Sequence, residues 1–151
     1  MVEMSEPAHL TDMAVEIGVK RGLWGQGKSS VYITIENKHC NKGGVAHGGL
    51  YTMMLDMALG GALVSILPKA EWCATTNLNV SFISAARPGE KITAEGNVVK
   101  RGRNVAHLEG KILTESGRVV ATATGTWAIW DHKPSSTVSY THLRAHETSR
   151  Y

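Results

Sequence analysis

Asp56 is the only charged residue in the eighteen positions from Leu50 to Leu67, and it follows a glycine-rich approach, Asn41-Lys42-Gly43-Gly44-Val45-Ala46-His47-Gly48-Gly49. A carboxylate isolated in an apolar helix is costly unless it has a partner or a task. A glycine-rich loop that opens a helix aims unpaired backbone N–H groups at one point, with the positive end of the helix dipole behind them. Together these features suit carbonyl chemistry, in which donors take the charge developing on an oxygen and a base or nucleophile stands nearby. A structural reading also exists for each. The glycines would serve a tight chain entry and close packing, and Asp56 would be paired by Asn41 or by a neighbouring subunit.

The elements that must position these residues are legible from periodicity. Met13 to Leu23 and Lys28 to Glu36 read as two strands around a turn at Trp24-Gly25-Gln26-Gly27, with Val31, Ile33 and Ile35 alternating against Tyr32, Thr34 and Glu36. From about His47 to Leu67 the chain reads as one helix, stopped by Pro68 and apolar nearly all round, so it has to be enclosed by strands. Ala74, Thr76, Leu78, Val80 and Phe82 alternate with Thr75, Asn77, Asn79 and Ser81, and this strand ends at Arg87-Pro88-Gly89. Three more strands follow at about Lys91 to Lys100, Val105 to Thr114 and Val119 to Trp130. The expected architecture is α+β, in the order ββαββββ.

Composition narrows the function classes. At 151 residues and 42% hydrophobic, the chain suits one domain that buries roughly two-thirds of its unfolded surface. A net charge of +3, without an aromatic-interleaved basic stripe, favours an anionic small ligand over nucleic acid. Cys40 and Cys73 form neither a CxxC nor a His-paired spacing, so neither a disulfide framework nor a metal site is expected. Met1 to Leu10 carries Glu3 and Glu6 and lacks the pattern of a signal peptide, and the Gly60-Gly61 pair and Asp56 argue against a membrane span in Leu50 to Leu67. A cytoplasmic location is the expectation. The domain is expected over residues 12–131; the stretch from Val138 to Thr148 resembles translated adapter sequence, and disorder is expected from residue 132 onward.

The pattern Asn41, Gly44, His47-Gly48-Gly49, Asp56 nine residues after the histidine, the strand Thr75 to Ser84 and the turn Arg87-Pro88-Gly89-Glu90 resembles the hotdog-fold acyl-CoA thioesterases, specifically the phenylacetate-degradation type. The resemblance covers about Asp12 to Trp130. It implies a long central helix wrapped by an antiparallel sheet, a dimer whose two sheets join, and active sites at the dimer interface; a homodimer and a homotetramer made by pairing of dimers both stay open. It also implies residue roles. Asp56 matches the catalytic carboxylate, acting as general base or nucleophile, and Gly48 the residue whose N–H polarises the thioester oxygen. Asn41 matches an asparagine that orients carboxylate or water, His47 a residue that contacts the thioester or steadies the loop, and Thr75 a holder of the lytic water. No cofactor is implied beyond the coenzyme A of the substrate.

Around this set, Gly49 lies beside the carbonyl site, and Arg87, Lys100, Arg101 and Arg103 form a basic set on turns, suited to coenzyme A phosphates or to a solvated face. Trp24, Met53, Met54 and Met57 read either as an acyl-pocket wall or as ordinary core. The expected activity is hydrolysis of an acyl-CoA to a carboxylic acid and free coenzyme A. Two alternatives stay open: a non-catalytic acyl-CoA-binding or regulatory module, and a hotdog hydratase or dehydratase.

Overall fold

The computed structural model describes residues 1–133. The elements run α1 (Asp12–Ile17), β1 (Lys20–Gly25), β2 (Lys28–Thr34), a 3-10 turn (Asn37–His39), α2 (Gly48–Val64), β3 (Trp72–Phe82), β4 (Lys91–Arg101), β5 (Val105–Thr114) and β6 (Val119–Trp130). All six strands form one antiparallel sheet in the order β1-β2-β4-β5-β6-β3, and α2 lies along its inner face. This is the expected hotdog arrangement. Expectations for the stretch from residue 134 onward fall outside the described residues.

One element differs from expectation. The stretch Met13 to Ile17, read as the start of a strand, is helical: Thr11 caps it with an Oγ1 that accepts from the Ala14 N–H at 3.4 Å, and Gly18 ends it at φ 102°. The alternation of Met13, Val15, Ile17 and Val19 imitated a strand, while the real punctuation was a hydroxyl N-cap and a left-handed glycine at the C-terminus. Ala14, fully buried, is the residue that α1 turns toward the core.

The core sits between α2 and the sheet. Met54, Leu55, Ala58, Leu59, Ala62 and Leu63 of α2 are buried against Val31, Ile33, Ile92, Ala94, Leu108, Ile112 and Ala121. The helix can press this close because Gly96 of β4 lies beneath its middle: a Cβ there would stand 2.6 Å from the Ala58 carbonyl oxygen. That approach fixes which part of α2 faces the sheet. Its other flank, carrying Met53, Asp56, Met57, Gly60, Gly61 and Val64, is only half-buried, so a single chain does not enclose its helix as its all-round apolarity had suggested. Among the described residues no helix is long and apolar enough to cross a membrane.

The two sheet edges differ. β1 is six residues long and breaks register with β2 between Arg21 and Trp24, whereas β3 presents an eleven-residue edge with Trp72 and Phe82 exposed at its ends. A short, irregular, basic edge resists pairing with another chain; a long bare one invites it.

Candidate active site

Two groups of atoms stand out on α2, one at its N-terminus and one in its middle. At the N-terminus, His47 is the cap. Its Nδ1 accepts from the Gly49 N–H at 2.8 Å, which places the ring proton on Nε2, directed away from the helix. The Leu50 N–H bonds the His47 carbonyl at 3.0 Å. Among the described residues, the Gly48 N–H has no acceptor, so the first helical position carries a free donor in the field of the helix dipole. Gly49, expected beside the carbonyl site, has its donor already occupied.

A dense set of bonds holds this end. The Ala46 N–H bonds the Ala86 carbonyl at 2.8 Å, and the Ala86 N–H in turn donates to the Tyr51 hydroxyl at 2.9 Å. Burial raises the Tyr51 pKa above the ordinary phenol value, partly offset by that backbone bond. The His47 N–H bonds the His39 carbonyl at 2.8 Å, and Asn41 closes its own turn, its Oδ1 accepting from the Gly43 N–H at 2.8 Å. His39 is a positioning residue that sequence reasoning missed. It is buried, its Nδ1 accepts from the Glu36 N–H at 2.9 Å, and its Nε2 therefore donates to the Ile17 carbonyl at 2.6 Å, tying the loop to α1. In the sequence, a histidine three residues after a glutamate at a strand end carries no signal of that double contact.

In the middle of the helix, Asp56 accepts one hydrogen bond among the described residues: Thr75 Oγ1 donates to its Oδ1 at 2.8 Å. Simple alternation places Thr75 on the face opposite Leu78, pointing away from α2. A β-bulge brings it round instead. Thr76 and Asn77 both oppose Thr126 on β6, Thr76 Oγ1 bonding the Thr126 carbonyl at 3.0 Å, and the register shift puts Cys73 and Thr75 on the same face as Leu78 and Val80. Bulges re-aim side chains in this way, and alternation cannot reveal them. Cys73, whose thiol is pushed up to about 11 by burial, is a poor nucleophile beside this site.

Asp56 lies eight positions after Gly48, so helix rise alone places them about 12 Å apart. One chain does not bring its free N–H and its carboxylate to a single carbonyl group. Asn41 likewise stays in its own turn and does not touch Asp56. The basic set is also divided. Arg87 lies just before β4 and Lys100, Arg101 and Arg103 at its far end, roughly 30 Å away along an extended strand, and Arg101 is committed to Glu71 at 2.6 Å. Met53 shares the open flank of α2 with Asp56, whereas Trp24 belongs to β1, the opposite sheet edge from Thr75, and meets Met57 and Gly61 in a separate hollow.

Comparison with known proteins fits this architecture. A Pseudomonas aeruginosa protein whose name assigns it provisionally to the esterases is 34% identical over 97 residues, covering 64% of this chain and 72% of that protein. Mouse acyl-coenzyme A thioesterase 13 is 27% identical over 88 residues, 58% of this chain and 62% of that protein. The structure of a hypothetical thioesterase with coenzyme A from Streptococcus pneumoniae superposes with a TM-score of 0.71 at 22% identity, covering 78% of this chain and 90% of that one. The family model described as the thioesterase superfamily matches residues 43–121, the stretch that holds the Gly48 loop, Asp56 and the bulged strand, and the chain belongs to that superfamily.

Proposed function

We propose that the protein is an acyl-CoA thioesterase of the type the Asn41 to Asp56 pattern resembles, working as a dimer in which one protomer supplies Asp56 and Thr75 and the other supplies the free Gly48 N–H. The observation that carries this reading is the separation of about 12 Å between two complementary groups on one helix, combined with a long β3 edge beside the carboxylate that is unpaired among the described residues. Pairing of β3 with a second β3 joins the sheets and sets two helices side by side, so that each carboxylate gains a donor. Closed two-fold pairing is the commonest solution for such an edge.

The chemistry follows from the groups. A thioester carbonyl accepts from the Gly48 N–H, which is aimed by the helix start and needs no rearrangement as charge builds on the oxygen. Asp56, oriented by Thr75, takes a proton from water as that water attacks the carbonyl carbon, or attacks the carbon itself to give an anhydride that water then opens. The C–S bond breaks, the coenzyme A thiolate leaves and takes up the proton, and the acid is released. Arg87 borders the Gly48 end through the Ala46–Ala86 bond and is the cation we assign to the coenzyme A phosphates.

The test is release of free thiol from a panel of acyl-CoA thioesters. Turnover supports hydrolysis; hydration of enoyl-CoA without thiol release would move the protein to the hydratases, and saturable binding with neither reaction would make it an acyl-CoA-binding module.

A further inference from the structure

The structure also holds a place beyond the thioester. Cys73 stands two residues before Thr75 on the helix-facing side of β3, and with Trp72, Val64, Leu67 and Ala8 it forms the apolar part of a hollow of about 360 Å³ whose remaining lining, Ser5, Glu6, Lys69, Glu71 and Lys133, is polar or charged. From Asp56 the way there runs along α2. One turn on is Gly60, half-buried and without a side chain of its own, bordered by the Trp127 indole 3.6 Å from where a Cβ would stand. One turn further is Val64, at the hollow itself. The N-terminal segment roofs it and is pinned at both ends. The Ser5 N–H bonds the Leu67 carbonyl at 3.0 Å, the Lys69 N–H bonds the Glu3 carbonyl at 2.8 Å, and Arg21 donates to the Ala8 carbonyl at 2.9 Å.

We propose that this hollow receives the end of the acyl chain, and that it selects straight aliphatic acyl groups of about ten carbons over short or arylacetyl ones; the inference rests on the hydrolase reading above. Asp56 and Val64 are eight residues apart, about 12 Å by helix rise, and ordinary bond geometry advances an extended alkyl chain by about 1.3 Å per carbon. Roughly nine carbons therefore reach from the carboxylate to the hollow. An acetyl group stops beside Asp56 and a butyryl group short of Gly60, and both leave the exposed walls of the hollow wet. A phenyl ring one carbon from the thioester stops short of the hollow too. Only a longer chain removes half-buried Val64 and Cys73 and exposed Trp72 from water, which is the source of the discrimination.

The experiment compares kcat/KM for butyryl-, decanoyl- and phenylacetyl-CoA in the full chain, in Val64→Phe, and in a chain lacking residues 1–9. The full chain is expected to favour decanoyl-CoA over both others by at least about tenfold, and each variant to lower the decanoyl-to-butyryl ratio by about tenfold or more. A ratio is used because loss of stability lowers both of its members together. A flat or short-chain preference, or a ratio that neither variant moves, overturns the proposal while leaving the hydrolase reading intact. A protein that hydrolyses no thioester fails the hydrolase reading instead, and the hollow is then judged by calorimetric binding of decanoate and butyrate to the full chain and to Val64→Phe. Decanoate binding at least about tenfold tighter than butyrate, and weakened about tenfold by Val64→Phe, supports it, and equal affinities or no effect of the substitution overturn it.

Discussion

The two halves of the proposed reaction are built differently. The Gly48 end of α2 is a cage of backbone bonds in which Ala46, His47, Ala86, Tyr51, His39 and Asn41 each fix another part of the loop, so that one N–H is left free in a set direction. Among the described residues the Asp56 carboxylate has a single hydrogen bond, from a residue on an exposed edge strand. The donor half is complete within one chain. The carboxylate half is open on the side where a second chain would dock. A preorganised donor costs nothing at the moment of reaction, while a carboxylate that must move a proton or attack benefits from few constraints until substrate and partner are in place.

The sharpest way to break this comparison is to disable each half in turn and mix the products. Asp56→Asn keeps the shape and removes the base, and is expected to lower kcat by at least about 100-fold with the fold intact. Gly48→Pro removes the free N–H at the first helical position, where proline is well tolerated, and His47 before it already has the extended φ of −64° and ψ of 136° that proline requires. The Phe82 ring, 3.0 Å from the site of the new Cβ, must shift slightly. A comparable loss is expected. Co-refolding the two inactive variants should then restore a substantial fraction of activity, because one mixed interface pairs an intact carboxylate with an intact donor. Recovery no greater than the sum of the two inactive proteins would place the complete site inside a single chain.

The middle-sized effect concerns Thr75. Thr75→Ala deletes the one bond to Asp56 and is expected to lower kcat about tenfold with little change in KM, whereas Thr75→Ser retains the hydroxyl and most of the activity. Equal kcat for the threonine and alanine forms would return Thr75 to the ordinary strand residues.

Thr75 also shows where the sequence stops being readable. Asp56 announces itself, because nothing else charged lies near it in eighteen positions, and the strands β2 and β4 to β6 follow from period-two patterning. The face on which Thr75 lies does not follow. Alternation across Ala74 to Phe82 is regular in the sequence, and the bulge at Thr76 reverses its first half through a pairing with β6 that lies fifty residues away. Helix α1 was hidden in the same way by apolar residues that happened to alternate. The basic turn residues looked like one group because they neighbour each other in a list of turns, yet β4 holds them at its two ends. Distances along a strand or a helix, once applied, separate residues that motif reading joins: Arg87 from Arg103, and Gly48 from Asp56.

The smallest effect comes from the scaffold of the donor half. The Glu90 carboxylate accepts from the Arg87 N–H and from Arg118, each at 2.7 Å, and Arg118 also holds Ser84 and the Ala85 carbonyl, just before Ala86, the residue that supports the Ala46 loop. The Arg87 backbone bond and the neighbouring guanidinium hold the Glu90 pKa below the usual carboxylate range. A carboxylate whose pKa is lower folded than unfolded stabilises the fold above the unfolded value, and that contribution is lost as pH falls through the folded one. Glu90→Gln should therefore lower the melting temperature at neutral pH, by no more than a few degrees since the pair is partly exposed, and the gap from the parent protein should close in acid. Thiol release should fall less than about twofold, because the other bonds of the cage remain. If Glu90→Gln instead costs as much kcat as Thr75→Ala, the donor half is no more firmly held than the carboxylate half, and the contrast between them fails.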